Sequence, residues 1–174
     1  MDPWYGIIYS FDGARLSPQQ AVDRLYKAGF TDVQTLCVGY AVMMGESGCY
    51  LKAWHNNVER NDDGTIALDA DGKMTVRSTD LGFIQRNVRH KTPVKLEPTP
   101  EAVRPFIDSL FAAHPELARA DESAKIAKAL YDAAGGRWTP WYAYLGGNYR
   151  RSLPSACGAI RHYLESVFLG SRWR

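Results

Sequence analysis

"VQTLCVGYAVMMGESGCY", residues 33–50, is the stretch on which the fold turns. Val33, Leu36, Cys37, Tyr40, Ala41 and Met44 recur at three-and-four spacing, and Val38, Val42 and Met43 widen that stripe nearly all the way round. A helix that is apolar on almost every side must be surrounded by other elements, so a central helix is predicted, with Gly45 and Gly48 marking its end. Glu46 is the one carboxylate in this run. Apolar neighbours desolvate its charge and the helix C-terminus adds partial negative charge, so both raise its pKa. An acid that stays protonated near neutral pH can give its proton to a leaving group. The competing reading is an exposed glutamate at a frayed helix end.

Working outward, Ser17-Pro18-Gln19-Gln20 has the form of a capping box with proline at the first helical position, opening a helix that Gly29 closes. Thr31-Asp32-Val33-Gln34 repeats the device ahead of the central helix. From Asn56 to Arg77 the chain turns polar. There "TIALD" (65–69) and "KMTVR" (73–77) alternate at period two around Ala70-Asp71-Gly72, which predicts a small β-hairpin. "KTPVKLEPTP" (91–100) reads as a proline-stiffened connection. Helical signals return at Thr99-Pro100, at Asp121 as the cap of a helix running into Gly135-Gly136, and at Thr139-Pro140 before a short aromatic helix. A last helix is predicted over about 154–169, followed by "GSRWR" as a solvated tail. The expectation is a mostly helical α+β fold with a small β-hairpin wing. It forms a single domain over 1–174, with its core at about 17–168 and residues 1–16 as an N-terminal arm.

Composition narrows the function classes. Hydrophobic residues at 45% and charged residues at 23% fit a globular domain with a real core. No apolar run approaches the roughly 20 residues that span a bilayer, so no membrane partner is expected. "MDPWYGIIYSF" carries an acid where an export signal needs a basic region, so no signal peptide is expected. A formal charge of +2 without a dense basic stripe gives no reason to expect nucleic acid. Cys37, Cys49 and Cys157 are odd in number and lack metal-type spacing, which reads as reduced thiols while leaving a pair among them open. His55, His90, His114 and His162 are isolated, so no zinc site is expected, and Asp69/Asp71 and Asn61/Asp63 miss the spacing of a calcium loop. Gly45-Glu46-Ser47-Gly48-Cys49 misses the hydrolase elbow, because a cysteine stands at its last glycine and a helix precedes it. A cysteine peptidase has no local motif here. Neither metal nor cofactor is expected.

General-acid chemistry on a sugar needs a second carboxylate that stays ionised. "RSTDLGFIQRN" (77–87) offers Asp80 among Ser78, Thr79, Gln85 and Asn87, a polar setting suited to an ionised acid. Alternatively Asp80 only caps a short helix beginning at Leu81.

In order along the chain, "GESG" (45–48), "ERNDDG" (59–64) and "STDLGFIQRN" (78–87) resemble the core of the lysozyme superfamily, with c-type lysozymes nearest in the last segment. The resemblance implies Glu46 as catalytic acid, Asp80 as the second catalytic carboxylate, and Gln85 and Asn87 as sugar-binding residues of the active-site floor. "AAGGRWTPWYAYLGGNYRRSLPSA" (133–156) resembles a cleft-wall segment of phage and bacterial wall-degrading members, which places Trp138, Trp141, Tyr144 and Tyr149 there. Trp54, Trp141, Tyr142, Tyr144 and Tyr149 could offer flat faces to sugar rings, whereas Trp138 reads as packing.

The implied activity is that of a muramidase, cutting the β-1,4 bond between N-acetylmuramic acid and N-acetylglucosamine in peptidoglycan strands. The alternatives are a lytic transglycosylase that forms a 1,6-anhydro sugar and a non-catalytic glycan-binding or structural module. Two departures stand out: the interval from Glu46 to Asp80 is longer than in c-type lysozymes, and their disulfide framework is missing. Transglycosylases often lack the aspartate, so Asp80 bears on the choice between the two chemistries. A wall enzyme made in the cytoplasm without an export signal fits a phage origin, as an endolysin or a tail-associated lysin with other virion proteins as partners.

Overall fold

The computed structural model describes residues 2–170. Apart from Gly170, the "GSRWR" tail lies outside the described residues. Strand β1 (Tyr9–Arg15) is followed by helices α1 (Pro18–Lys27) and α2 (Val33–Ser47), then strands β2 (Tyr50–Val58), β3 (Met74–Leu81) and β4 (Arg86–Leu96). Helices α3 (Pro100–Ala113), α4 (Ala120–Ala133), α5 (Tyr142–Leu145) and α6 (Leu153–Gly170) complete the chain, with single 3-10 turns at Pro115–Ala118 and Asn148–Arg151. The fold class is mixed α+β, as expected.

The helix signals are local, and most operate as read. The Ser17 hydroxyl accepts from the Gln20 amide at 3.2 Å while the Gln20 side chain accepts from the Ser17 amide at 2.9 Å. At α2 the cap is one residue later than the Thr31 box implies, because the Asp32 carboxylate takes the Thr35 amide at 2.7 Å. Gly48 ends α2 in the left-handed region, φ +58°. Asp121 is not a cap: α4 starts at Ala120 behind Arg119, and Asp121 in its first turn pairs with Arg24 at 3.1 Å.

Helix α2 is central. It packs against α1, α5 and α6, and Leu36, Tyr40, Ala41, Val42 and Met43 are all buried. Gly39 lets Trp138 lie on the helix, since a Cβ there would fall 2.5 Å from the indole ring. That indole stacks on Phe30 at 5.0 Å and meets Tyr131 and Trp141. Trp138 is thus packing, as its position implied.

The β region is larger than the predicted hairpin. It is a four-stranded antiparallel sheet in the order β1-β2-β3-β4. "KMTVR" contributes to β3, but "TIALD" forms no regular strand, making only isolated bridges from Ile66 to Arg60 and from Leu68 to Met74. The reason is local hydrogen bonding. Asp63 accepts from the Thr65 amide, and Asp69 accepts from the amides of Asp71 and Lys73, so these side chains take up backbone donors a ladder would need. β3 is released to pair with β2 and β4. The "proline-stiffened connection" is the second half of edge strand β4, where Pro93 sits at a break in register opposite Val76–Ser78. Residues 9–15 of the N-terminal arm are the other edge strand.

Candidate active site

One transverse row of residues organises the site. Tyr9 pairs with His55, His55 with Asp80, and Asp80 with Asn87, so the row crosses all four strands. Directly opposed residues of antiparallel strands share a face, which sets these four side chains side by side. Asn57, two residues beyond His55 on β2, joins the same face.

Asp80 is therefore held from several directions. Asn57 Nδ2 donates to one carboxylate oxygen at 2.9 Å and Asn87 Nδ2 to the other at 2.7 Å. His55 Nδ1 lies 3.8 Å from the first oxygen. Burial alone would raise the pKa of Asp80, but the nearby His55 and the hydrogen bonds from Asn57 and Asn87 outweigh it and hold the carboxyl below its ordinary range. Of the polar neighbours expected from sequence, Asn87 binds directly and Ser78 supports Asn87 at 3.0 Å. Thr79 is buried instead, bonded to Asn56 at 2.9 Å and within 3.1 Å of His90. Asp80 caps no helix, because Leu81 ends strand β3.

Glu46 sits in the last turn of α2, in the opposite condition. Burial pushes its carboxyl above the ordinary value and the nearby negative charge of Asp80 adds to that, while the Ala143 amide and His55 oppose it. The apolar setting acts as expected, but the peptide group at the carboxyl is the amide of Ala143 in α5, which donates to Glu46 Oε1. α5 comes this close because residue 45 is glycine: a Cβ there would stand 2.9 Å from Ala143 Cβ. Gly45→Val should lift α5 and break the Ala143 bond. Faster hydrogen exchange at the Ala143 amide in the variant should report the break.

Both carboxyls line a cavity of about 430 Å³, together with Tyr9, Phe11, Trp54, His55, Asn57 and Gln85. A smaller space of about 130 Å³ adjoins it, sharing Glu46, Asp80, Gln85 and Tyr142 and adding Arg86, Asn87 and Trp141. The carboxylate pair thus lies within one groove that extends to either side.

The expected binding residues divide. Gln85 and Asn87 line the groove. Gln85 has φ +50° and its side-chain amide donates to the Gly82 carbonyl at 2.8 Å and to that of Ala53 at 3.2 Å. Trp54 and Trp141 also line it but are only 2% and 3% exposed, with indole N–H groups bound to Asp12 and to the Ile84 carbonyl. They are walls more than open stacking faces. Tyr144 and Tyr149 stack on each other at 5.1 Å and line neither part of the groove. The most exposed ring at the groove is Tyr142, 75% accessible, with Phe11 also exposed on its lining. His55, Asn57, Tyr9 and Phe11 were missed. The signal for His55 and Asn57 was β2 itself, "YLKAWHNNV", and that for Tyr9 and Phe11 was β1, "YSFDGAR", neither of which was assigned as a strand.

Among the described residues no group of three or more His, Cys, Asp and Glu side chains is placed to hold a metal ion, and no helix is long and apolar enough to cross a membrane. Cys37, Cys49 and Cys157 are free thiols, and burial pushes Cys37 and Cys49 up to about 12, far from nucleophilic thiolates. Comparison with protein-family models, curated proteins and solved structures finds no match to this chain.

Proposed function

We propose that this protein is a muramidase of the lysozyme type, cleaving the β-1,4 bond between N-acetylmuramic acid and N-acetylglucosamine in peptidoglycan. The observation that carries the reading is two carboxyls in one groove with opposite surroundings: Glu46 at the end of a buried helix, which favours its neutral form, and Asp80 bonded by Asn57 and Asn87, which favours its ionised form. This is the division of labour that a glycosidase needs, and lysozyme is the established example of it. In the first step Glu46 protonates the glycosidic oxygen and the leaving sugar departs. Asp80 meets the oxocarbenium-like centre, either bonding to it or stabilising its charge. Glu46, now ionised, takes a proton from water as the water attacks the sugar carbon and displaces the Asp80 carboxylate where it has bonded, and the acid is restored. His55, Asn57 and Asn87 position Asp80, and Tyr142 offers an open face to a sugar ring.

A hydrolase requires the carboxylate of Asp80, whereas a lytic transglycosylase closes the sugar on its own hydroxyl. Mass analysis of fragments from purified peptidoglycan separates the two, since anhydro products are lighter by one water. Hydrolysed ends are expected, with at least tenfold lower turnover in Asp80→Asn. Anhydro ends from a fully active Asp80→Asn variant would favour the transglycosylase. No fragments from the wild type would leave a glycan-binding module.

A further inference from the structure

Beyond Asn87 lies a third space, of about 350 Å³, that neither carboxyl reaches. Its lining includes Arg86, Asn87 and Arg89 from β4 and His114, Glu116 and Leu117 from the segment after α3. Arg86 and Asn87 line this space and the smaller part of the groove alike, so the two are neighbours. Arg86 and Arg89 are exposed, and neither makes an ion pair or a side-chain hydrogen bond among the described residues. By contrast Arg24, Arg77, Arg104 and Arg119 are each paired with an acid. β4 is also the edge of the sheet, so backbone groups along one side of it lack a strand partner.

We propose that this pocket binds the acidic peptide carried by the muramic acid residue, with Arg86 and Arg89 taking its carboxylates. The inference rests on the muramidase reading of the groove. Guanidinium forks suit carboxylates, and an open strand edge suits an extended peptide. Glu116, 3.4 Å from His114, is the pocket's acid. Two cations beside one acid match a peptide bearing several carboxylates and an amine better than a polyphosphate, against which Glu116 would be repulsive.

The test is the variant Arg89→Gln, since Arg89 lines this pocket and neither part of the groove that holds the carboxyls. Wild type and variant are assayed on intact peptidoglycan, on the same glycan stripped of peptide by an amidase, and on peptidoglycan freed of wall phosphopolymers. In parallel, binding of a free acidic wall tripeptide to the whole protein is followed by NMR. The expected result is a KM raised roughly five- to tenfold on both peptide-bearing glycans, no change on stripped glycan, and tripeptide shifts on Arg86–Arg89 that the variant loses. Equal loss on all three substrates, an effect only where phosphopolymer is present, or no tripeptide binding would overturn it. If the wild type cleaves none of them, the muramidase reading fails, while tripeptide binding still decides for or against the pocket.

Discussion

Glu46→Gln is expected to lower glycan cleavage by roughly 10²–10⁴-fold while the protein stays folded. Glutamine keeps the shape and can still accept the Ala143 amide through its carbonyl oxygen, but it has no proton to give the glycosidic oxygen. The loss should appear in kcat with little change in binding of the glycan, which equilibrium titration of the variant would measure. The wild-type pH profile should be bell-shaped. Activity rises as pH climbs through the lowered pKa of Asp80, which must be ionised, and falls as pH climbs past the raised pKa of Glu46, which must be protonated. Stability provides an independent check. A carboxyl whose folded pKa lies above its unfolded value binds a proton more tightly when folded, so its contribution is fully present below the unfolded pKa and is lost as pH rises through the folded one. Glu46→Gln removes that loss. Thermal denaturation at a series of pH values should show the variant gaining on the wild type across that window, and a constant difference would count against the buried neutral acid.

Gly82→Ala is expected to destabilise the fold by about 2–6 kcal/mol, combining left-handed backbone strain with a steric clash. Gly82 has φ +76°, and a Cβ there would fall 2.2 Å from the Leu117 carbonyl oxygen. Neither atom can give way easily. The Gly82 amide bonds the Ala53 carbonyl at 2.8 Å, and Leu117 belongs to the turn packed beneath the sheet. Gly72→Ala is the control, because Gly72 has a similar φ of +74° with nothing within 4 Å of its would-be Cβ. Urea denaturation should show a cost of about 1 kcal/mol for Gly72→Ala and several times that for Gly82→Ala. Equal costs would mean that backbone strain alone matters at Gly82. The same glycine supports the site, since its carbonyl holds the side chain of Gln85.

Glu46 and Asp80 show how much of the site was legible. Glu46 could be read from sequence because its peculiarity is local: an acid in an apolar helix is visible as a run of letters. Asp80 stood out through its motif and its polar neighbours, but of Ser78, Thr79, Gln85 and Asn87 only Asn87 bonds it. Thr79 turns away to Asn56 and His90, and His55 and Asn57, 25 and 23 residues earlier, supply what was missing. Tyr144 and Tyr149 carried the right chemistry at a spacing that folds them onto each other rather than onto the groove.

The sequence by itself determined the helices, the caps at Ser17 and Thr99 and the buried character of α2, because hydrogen bonds and periodicity within a helix join residues a few places apart. It also determined that Glu46 would sit at the end of a buried helix. The extent of the sheet and the row Tyr9–His55–Asp80–Asn87 were decided only in the tertiary structure. Register is a relation between strands, and a shift of one residue in β2 would turn His55 to the opposite face and leave Asp80 without it.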